Sequence, residues 1–154
     1  MAVKPVPEGY HTVCPYLTVS DATAQLEFLQ RAFGARVVEN MKGPDGRIMH
    51  ADVVIGDSHV MMGQAGGEFA PTQASMHVYV PDCDAVYRAA VAAGGVSLRE
   101  PETQFYGDRS GGVRDVNGNQ WWISTHVEDV SKEEMERRAK AYSEKKATAA
   151  PPSS

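Results

Sequence analysis

The sequence predicts an α+β fold made of two tandem βαβββ modules followed by a C-terminal helix. Three observations carry this. Hydrophobic alternation and helical spacing succeed one another in the order strand, helix, three strands, and that order then recurs. Val19, Asp21, Ala32 and Gly34 each find an identical residue at a constant offset of 61, namely Val80, Asp82, Ala93 and Gly95, which marks an internal repeat. Ser131 with Glu134 three residues later forms a capping box that opens a charged helix beyond the second module.

Taken in order, residues 1–10 form a Pro-rich leader. HTVCPYLTV (11–19) alternates as a strand does, with Val13, Leu17 and Val19 on one face and Cys14, Tyr16 and Thr18 on the other. Ser20 or Asp21 caps a helix on DATAQLEFLQRAFG, where Ala22, Leu26, Leu29 and Phe33 fall at three- and four-residue spacing and Gly34 suits the exit. Strands follow at ARVVEN, RIMHADVVI and SHVMMG, separated by the turn signals Pro44-Asp45-Gly46 and Gly56-Asp57, and close module one over 11–65. Module two (74–127) repeats the order with the strand MHVYV, the helix PDCDAVYRAAVAAGG, the strand VSLRE and a hairpin about Asn117-Gly118. The pairs Glu133/Arg137, Glu134/Arg138 and Glu136/Lys140 support a C-terminal helix over 128–144, and KKATAAPPSS (145–154) is expected to be a disordered tail.

Composition narrows the function. An apolar share of 42% with 23% charged residues excludes a disordered or fibrous chain. The net charge of −5, with no basic cluster before residue 131, argues against nucleic acid as a partner. No apolar run reaches the roughly 18 residues of a membrane span. Cys14 and Cys83 lack metal-like spacing, and MAVKPVPEGY has no apolar segment of the secretory kind, so reduced thiols in the cytoplasm are expected.

The stretches PYLTVSDA, PDGRIMHADVVIGDS, QFYGDRSGG and THVEDVSKEEM resemble the vicinal oxygen chelate superfamily, the glyoxalase/bleomycin-resistance/dioxygenase proteins, and within it the PhnB-like branch. The resemblance covers residues 11–127. It implies that the sheets curl into a cup with helices on the convex face, that the concave face holds a ligand, and that two chains pair as a homodimer. Metal-using members hold a divalent ion through four concave-face side chains. The corresponding positions here are Cys14, Met61, Ser75 and Trp122, and the offset of 61 relates Cys14 to Ser75 and Met61 to Trp122. Trp has no donor atom, a thioether prefers soft ions and Ser is a poor ligand, so no metal or other cofactor is expected.

Strand alternation assigns a concave face of Cys14, Tyr16, Thr18, His50, Asp52, His59, Met61, Ser75, His77, Tyr79, Gln120, Trp122 and Ser124. Rings interleaved with hydrogen-bonding groups are what a ligand pocket presents. Gln104, Tyr106 and Arg109 are expected on a loop at its mouth, with Gly111-Gly112 letting the chain turn in a pocket wall and lid and Arg109 clamping an anionic or carbonyl group. A surface pair of Arg109 with Asp108, or of Arg114 with Asp108, is the plainer reading. His11 and His126, at strand ends, are expected to be structural or exposed.

Two functions compete. In the first, resembling the antibiotic-sequestering members, a metal-independent protein binds a planar, partly cationic organic ligand on aromatic walls. In the alternative, a lyase, isomerase or dioxygenase of the superfamily uses His50, Asp52 or His77, with His59, to hold a metal or move a proton. A purely structural dimer has only the charged C-terminal helix in its favour.

Overall fold

Each module folds around its own four-stranded sheet. The computed structural model describes residues 2–149. Module one runs β1 (Tyr16–Val19), α1 (Ala22–Phe33), β2 (Arg36–Lys42), β3 (Ile48–Ile55) and β4 (Ser58–Gln64). Module two runs β5 (Ser75–Tyr79), α2 (Cys83–Ala92), β6 (Val96–Thr103), β7 (Asp108–Arg114) and β8 (Gln120–His126), and α3 (Lys132–Ala149) ends the described chain. The strand orders are β1-β4-β3-β2 and β5-β8-β7-β6. In each sheet the first and fourth strands of the module pair in parallel and the rest antiparallel.

The duplication is visible in the pairing itself. Tyr16 lies opposite Met61, and residues 61 positions on, His77 and Trp122, are partners in the second sheet. Leu17 and Met62 are likewise matched by Val78 and Ile123. Asp21 and Asp82 cap their helices alike, accepting the N–H of Ala24 at 3.0 Å and of Ala85 at 3.2 Å. Gly34 ends α1 in the left-handed conformation at φ 64°, which a residue without Cβ adopts at no steric cost.

Both helices lie on one face of their sheets, and there Leu17, Val53, Val60, Met62, Val113 and Ile123 are buried with Phe28 and Leu29 of α1. Truncating Phe28 would leave a cavity costing roughly 3–5 kcal/mol. The modules meet through these helical sides, at a buried polar seam. Asp115 Oδ2 accepts Gln25 Nε2 and Trp121 Nε1, each at 2.8 Å, and Asn119 Nδ2 donates to Gln25 Oε1 at 3.2 Å. Asn117 exchanges hydrogen bonds with the Asp21 backbone in both directions.

Several boundaries move from those expected. β1 begins at Tyr16 rather than residue 11, because Pro15 lacks the N–H that would continue the ladder. Cys14 therefore precedes the strand, its thiol donating to the His11 carbonyl at 3.4 Å. β6 runs on to Thr103, and DRSGGVR is the strand β7, so Gly111 and Gly112 sit inside a strand and turn nothing. α3 starts at Lys132, capped by Ser131 Oγ on the Glu134 N–H, and continues to Ala149 through the first residues expected as tail. Residues 150–154 of that tail lie outside the described residues.

Candidate functional site

The faces of the two sheets turned away from the helices carry the chemistry. Across the first sheet one row reads Tyr16, Met61, Asp52, Glu39 on β1, β4, β3 and β2. The equivalent row of the second sheet reads His77, Trp122, Gly112, Arg99 on β5, β8, β7 and β6. The backbone is duplicated but the charge is inverted, since two carboxylates of one row are replaced by a glycine and a guanidinium in the other. The strand residues expected on one face by alternation lie on this side of the sheets, with Tyr16 at 52% and Tyr79 at 63% exposure.

On the first sheet Asp52, 2% exposed, is matched on both oxygens. Tyr10 donates its hydroxyl to Oδ2 at 2.5 Å, and His59 Nδ1 meets Oδ1 at 2.9 Å. The Tyr10 ring stacks on His59 with centroids 3.6 Å apart and planes 16° from parallel. The hydrogen bond to Asp52 pushes the Tyr10 hydroxyl above its ordinary pKa, with burial adding to it. His59 Nε2 has no partner among the described residues. Next to this group His50 Nδ1 contacts the Tyr16 hydroxyl at 3.1 Å. The leader lies over this face and encloses a cleft of about 440 Å³ with Cys14, Glu39, His50, Asp52 and Met61. Tyr10 was not legible from sequence, because nothing in PVPEGY signals a contact 42 residues away.

A second phenol, carboxylate and imidazole cluster forms on the other sheet from Tyr79, expected on this face, with Asp108, expected only in a surface pair, and His126, expected to be structural or exposed. Asp108, 4% exposed, accepts the Tyr79 hydroxyl at 2.9 Å and His126 Nδ1 at 2.8 Å, while His126 Nε2 meets Asp129 at 2.8 Å. Asp108 raises the pKa of Tyr79, to which nearby Tyr106 adds a smaller upward push. His126, exposed as expected, has its pKa raised first by Asp108 and then by Asp129. His77 packs against Tyr79 at 4.9 Å between centroids. Ser75 is exposed at the start of β5, opposite Gln120. Between the modules a crevice of about 510 Å³ is lined by Val13, Phe33, His59, Val78, Tyr79 and Trp121 among others, and it brings residues of both sheets to one space.

Arg109 is not at a pocket mouth. It lies within β7 on the helix side, where Nε and Nη2 grip Asp84 of α2 at 2.7 and 2.9 Å. A strand residue adjacent to Asp108 must face away from it, so neither the clamp nor an Asp108–Arg109 pair forms. Tyr106 remains in the β6–β7 turn, its ring edge-on to Phe105. The histidines do not converge either: His50 belongs to Tyr16, His59 to Asp52 and His77 to the second sheet. Among the described residues no three His, Cys, Asp or Glu side chains group as a metal ion requires. The inherited positions are split between sheets, Met61 and the preceding Cys14 on one side and Ser75 and Trp122 on the other. These four side chains, a thiol, a thioether, a hydroxyl and an indole, are a donor set that does not fit a hard divalent ion.

Residues 10–123 match the family described as Glyoxalase/Bleomycin resistance protein/Dioxygenase superfamily. The chain is 32% identical to an uncharacterized protein of Mycobacterium bovis over 133 residues, 79% of this chain and 88% of that one. Among solved structures it is similar to TioX from Micromonospora sp. ML1, with a TM-score of 0.67 and 26% identity over 76% of this chain and 99% of that one. It is also similar to a glyoxalase-related enzyme from Fulvimarina pelagi, with a TM-score of 0.61 and 20% identity over 75% and 87% of the two chains.

Proposed function

The chain belongs to the Glyoxalase/Bleomycin resistance protein/Dioxygenase superfamily, and within it we propose a small-molecule-binding protein that sequesters a planar or aromatic organic ligand, of the antibiotic class, without a metal. The observation that carries this reading is the indole of Trp122. It lies over Gly112, where an added Cβ would come within 2.4 Å of the ring. The glycine leaves room for a broad apolar surface flanked by His77 and Arg99, and Tyr79 stands one row away. Large aromatic area beside a few polar groups is what fixes a planar ligand.

The preference for a cationic ligand is revised. Arg99 sits 5.1 Å over the Trp122 ring and already occupies the position a stacked cation would take. Homodimer formation is part of the proposal, supported by the opposite charges of the equivalent rows that hold Asp52 and Glu39 in one sheet and Arg99 in the other, and sedimentation of the purified chain tests it. The two free cysteines support a reducing, cytoplasmic setting. No helix among the described residues is long and apolar enough to cross a membrane.

Fluorescence titration with planar aromatic antibiotics tests the reading. Ligand is expected to quench the wild type, and Trp122→Ala should abolish that quenching while far-UV circular dichroism stays unchanged. Unfolding of Trp122→Ala would make Trp122 a core residue instead. The second reading, a lyase, isomerase or dioxygenase, rests on Asp52 fixing Nδ1 of His59 and leaving Nε2 for proton transfer. Near-stoichiometric metal after reconstitution with Zn²⁺, Ni²⁺, Mn²⁺ or Fe²⁺, read by elemental mass spectrometry, would favour that enzyme.

A further inference from the structure

On the open face of the second sheet Arg99 has a buried donor, Nε, that makes no hydrogen bond. Its partner across β7 is Gly112, whose partner across β8 is Trp122, so guanidinium, glycine and indole stand in one row. The missing side chain at Gly112 lets the indole reach under Arg99, which packs on it at 5.1 Å. Arg99 Nε is buried with no hydrogen-bond partner, and no ion pair to Arg99 forms among the described residues. Its equivalent in the first sheet is the carboxylate of Glu39. Arg114, opposite Gln120 in the next row, is exposed with the same sign of charge, and His77 ends the row on the other side of the indole. A chain of net charge −5 thus sets two guanidinium groups, Arg99 and Arg114, beside the half-buried Trp122 ring.

An arginine packed against an indole loses little further freedom on binding and retains a planar fork of donors. The ligand that completes this arrangement stacks on Trp122 and supplies a planar anion to the fork, because a carboxylate matches guanidinium geometry with two parallel hydrogen bonds. We propose that Arg99 and Trp122 form a specificity site for an aromatic carboxylate or a similar planar anion attached to a ring. This rests on the ligand-binding reading above and adds the sign and geometry of the ligand's polar group. It also transfers to Arg99 the anion-recognising role that Arg109, held by Asp84, is not free to play.

The test uses three probes of one shape, 2-naphthoate, 2-naphthamide and 2-naphthylmethylammonium, titrated against the full chain by fluorescence and calorimetry. The wild type is expected to bind the carboxylate roughly tenfold or more tighter than the amide, the value of one charge-assisted hydrogen bond. Arg99→Met should erase that ratio while leaving amide affinity in place, and Arg99→Lys should restore part of it, as a point charge without the fork. A merely structural Arg99 would lower all three affinities together. Equal binding of carboxylate and amide by the wild type, with Trp122-dependent quenching, would overturn the inference and leave the ligand-binding reading standing. Preference for the ammonium probe would do the same. Failure of all three probes to bind up to millimolar concentration would overturn both. The wild-type ratio needs no variant, so a folding defect in Arg99→Met does not block the decision.

Discussion

At position 112 the absence of a side chain decides what its neighbour does. Read along the sequence, Gly111-Gly112 signals a turn, since paired glycines free the backbone. Only the cross-strand partner reveals the other use of glycine, a place where something large must lie close. For Gly112 that is the Trp122 indole. The alternation of β4, β5 and β8 was legible because period two is local. The Asp108 carboxylate was not, because its importance comes from Tyr79 and His126, 29 and 18 residues away. His126 offers a direct check. Its two carboxylate partners favour the charged imidazolium, so its folded pKa lies above the ordinary 6.5. The stabilisation is fully present below pH 6.5 and fades as pH rises through the folded value. An NMR titration should show a midpoint above 6.5 for His126 and a fall toward it in Asp108→Asn; an unchanged midpoint in that variant would remove Asp108 as the main cause.

Among the elements, helix ends were the most readable features, since caps are local. Asp21, Asp82 and Ser131 cap their helices, while the Glu134 carboxylate turns to Arg137 and Arg138 instead of closing the expected box. What α3 does next depends on tertiary partners. Arg138 donates to Glu134, to both oxygens of Glu128 and to the Phe105 carbonyl, and Tyr142 packs on Phe105 at 5.0 Å. One arginine thereby ties an otherwise exposed helix to the β6–β7 turn. Arg137 and Arg138 hold the Glu134 carboxyl at about 2, below its ordinary 4.5. The sign follows: the contribution is complete above pH 4.5 and is lost as pH falls through about 2. Amide exchange along α3 should therefore accelerate as pH drops into this range, after correction for intrinsic rates. Arg138→Ala should accelerate it already at neutral pH; protection unchanged in that variant would show that α3 is held by other contacts.

Over the whole molecule, the duplication was legible as a constant offset, and the sheets repeat it partner for partner. The seam between modules was not, because Gln25 and Asp115 are 90 residues apart and each looks like an ordinary surface polar residue in its own segment. Gln25 and Asn119 are fully buried and Asp115 nearly so. Removing the carboxylate leaves the Gln25 and Trp121 donors buried without an acceptor, a loss of roughly 2–4 kcal/mol. Urea unfolding of Asp115→Ala should show this loss. In the wild type, tryptophan fluorescence and far-UV circular dichroism should trace one coincident transition, because the network straddles the modules. Two separated transitions would show modules that fold independently.

The outer strands β2 and β6 bear one more consequence. Each breaks its ladder twice, at Val37/Glu39 and Met41/Lys42 in β2 and at Ser97/Arg99 and Arg99/Glu102 in β6. Both rims carry exposed charge, and Pro101 withholds an N–H from the second. Strand addition along β2 or β6 therefore finds no regular ladder to extend, which disfavours fibril growth from these two rims. Under the proposed one-to-one capture a protein must accumulate to the concentration of what it captures, and irregular rims on β2 and β6 favour crowding without gelling.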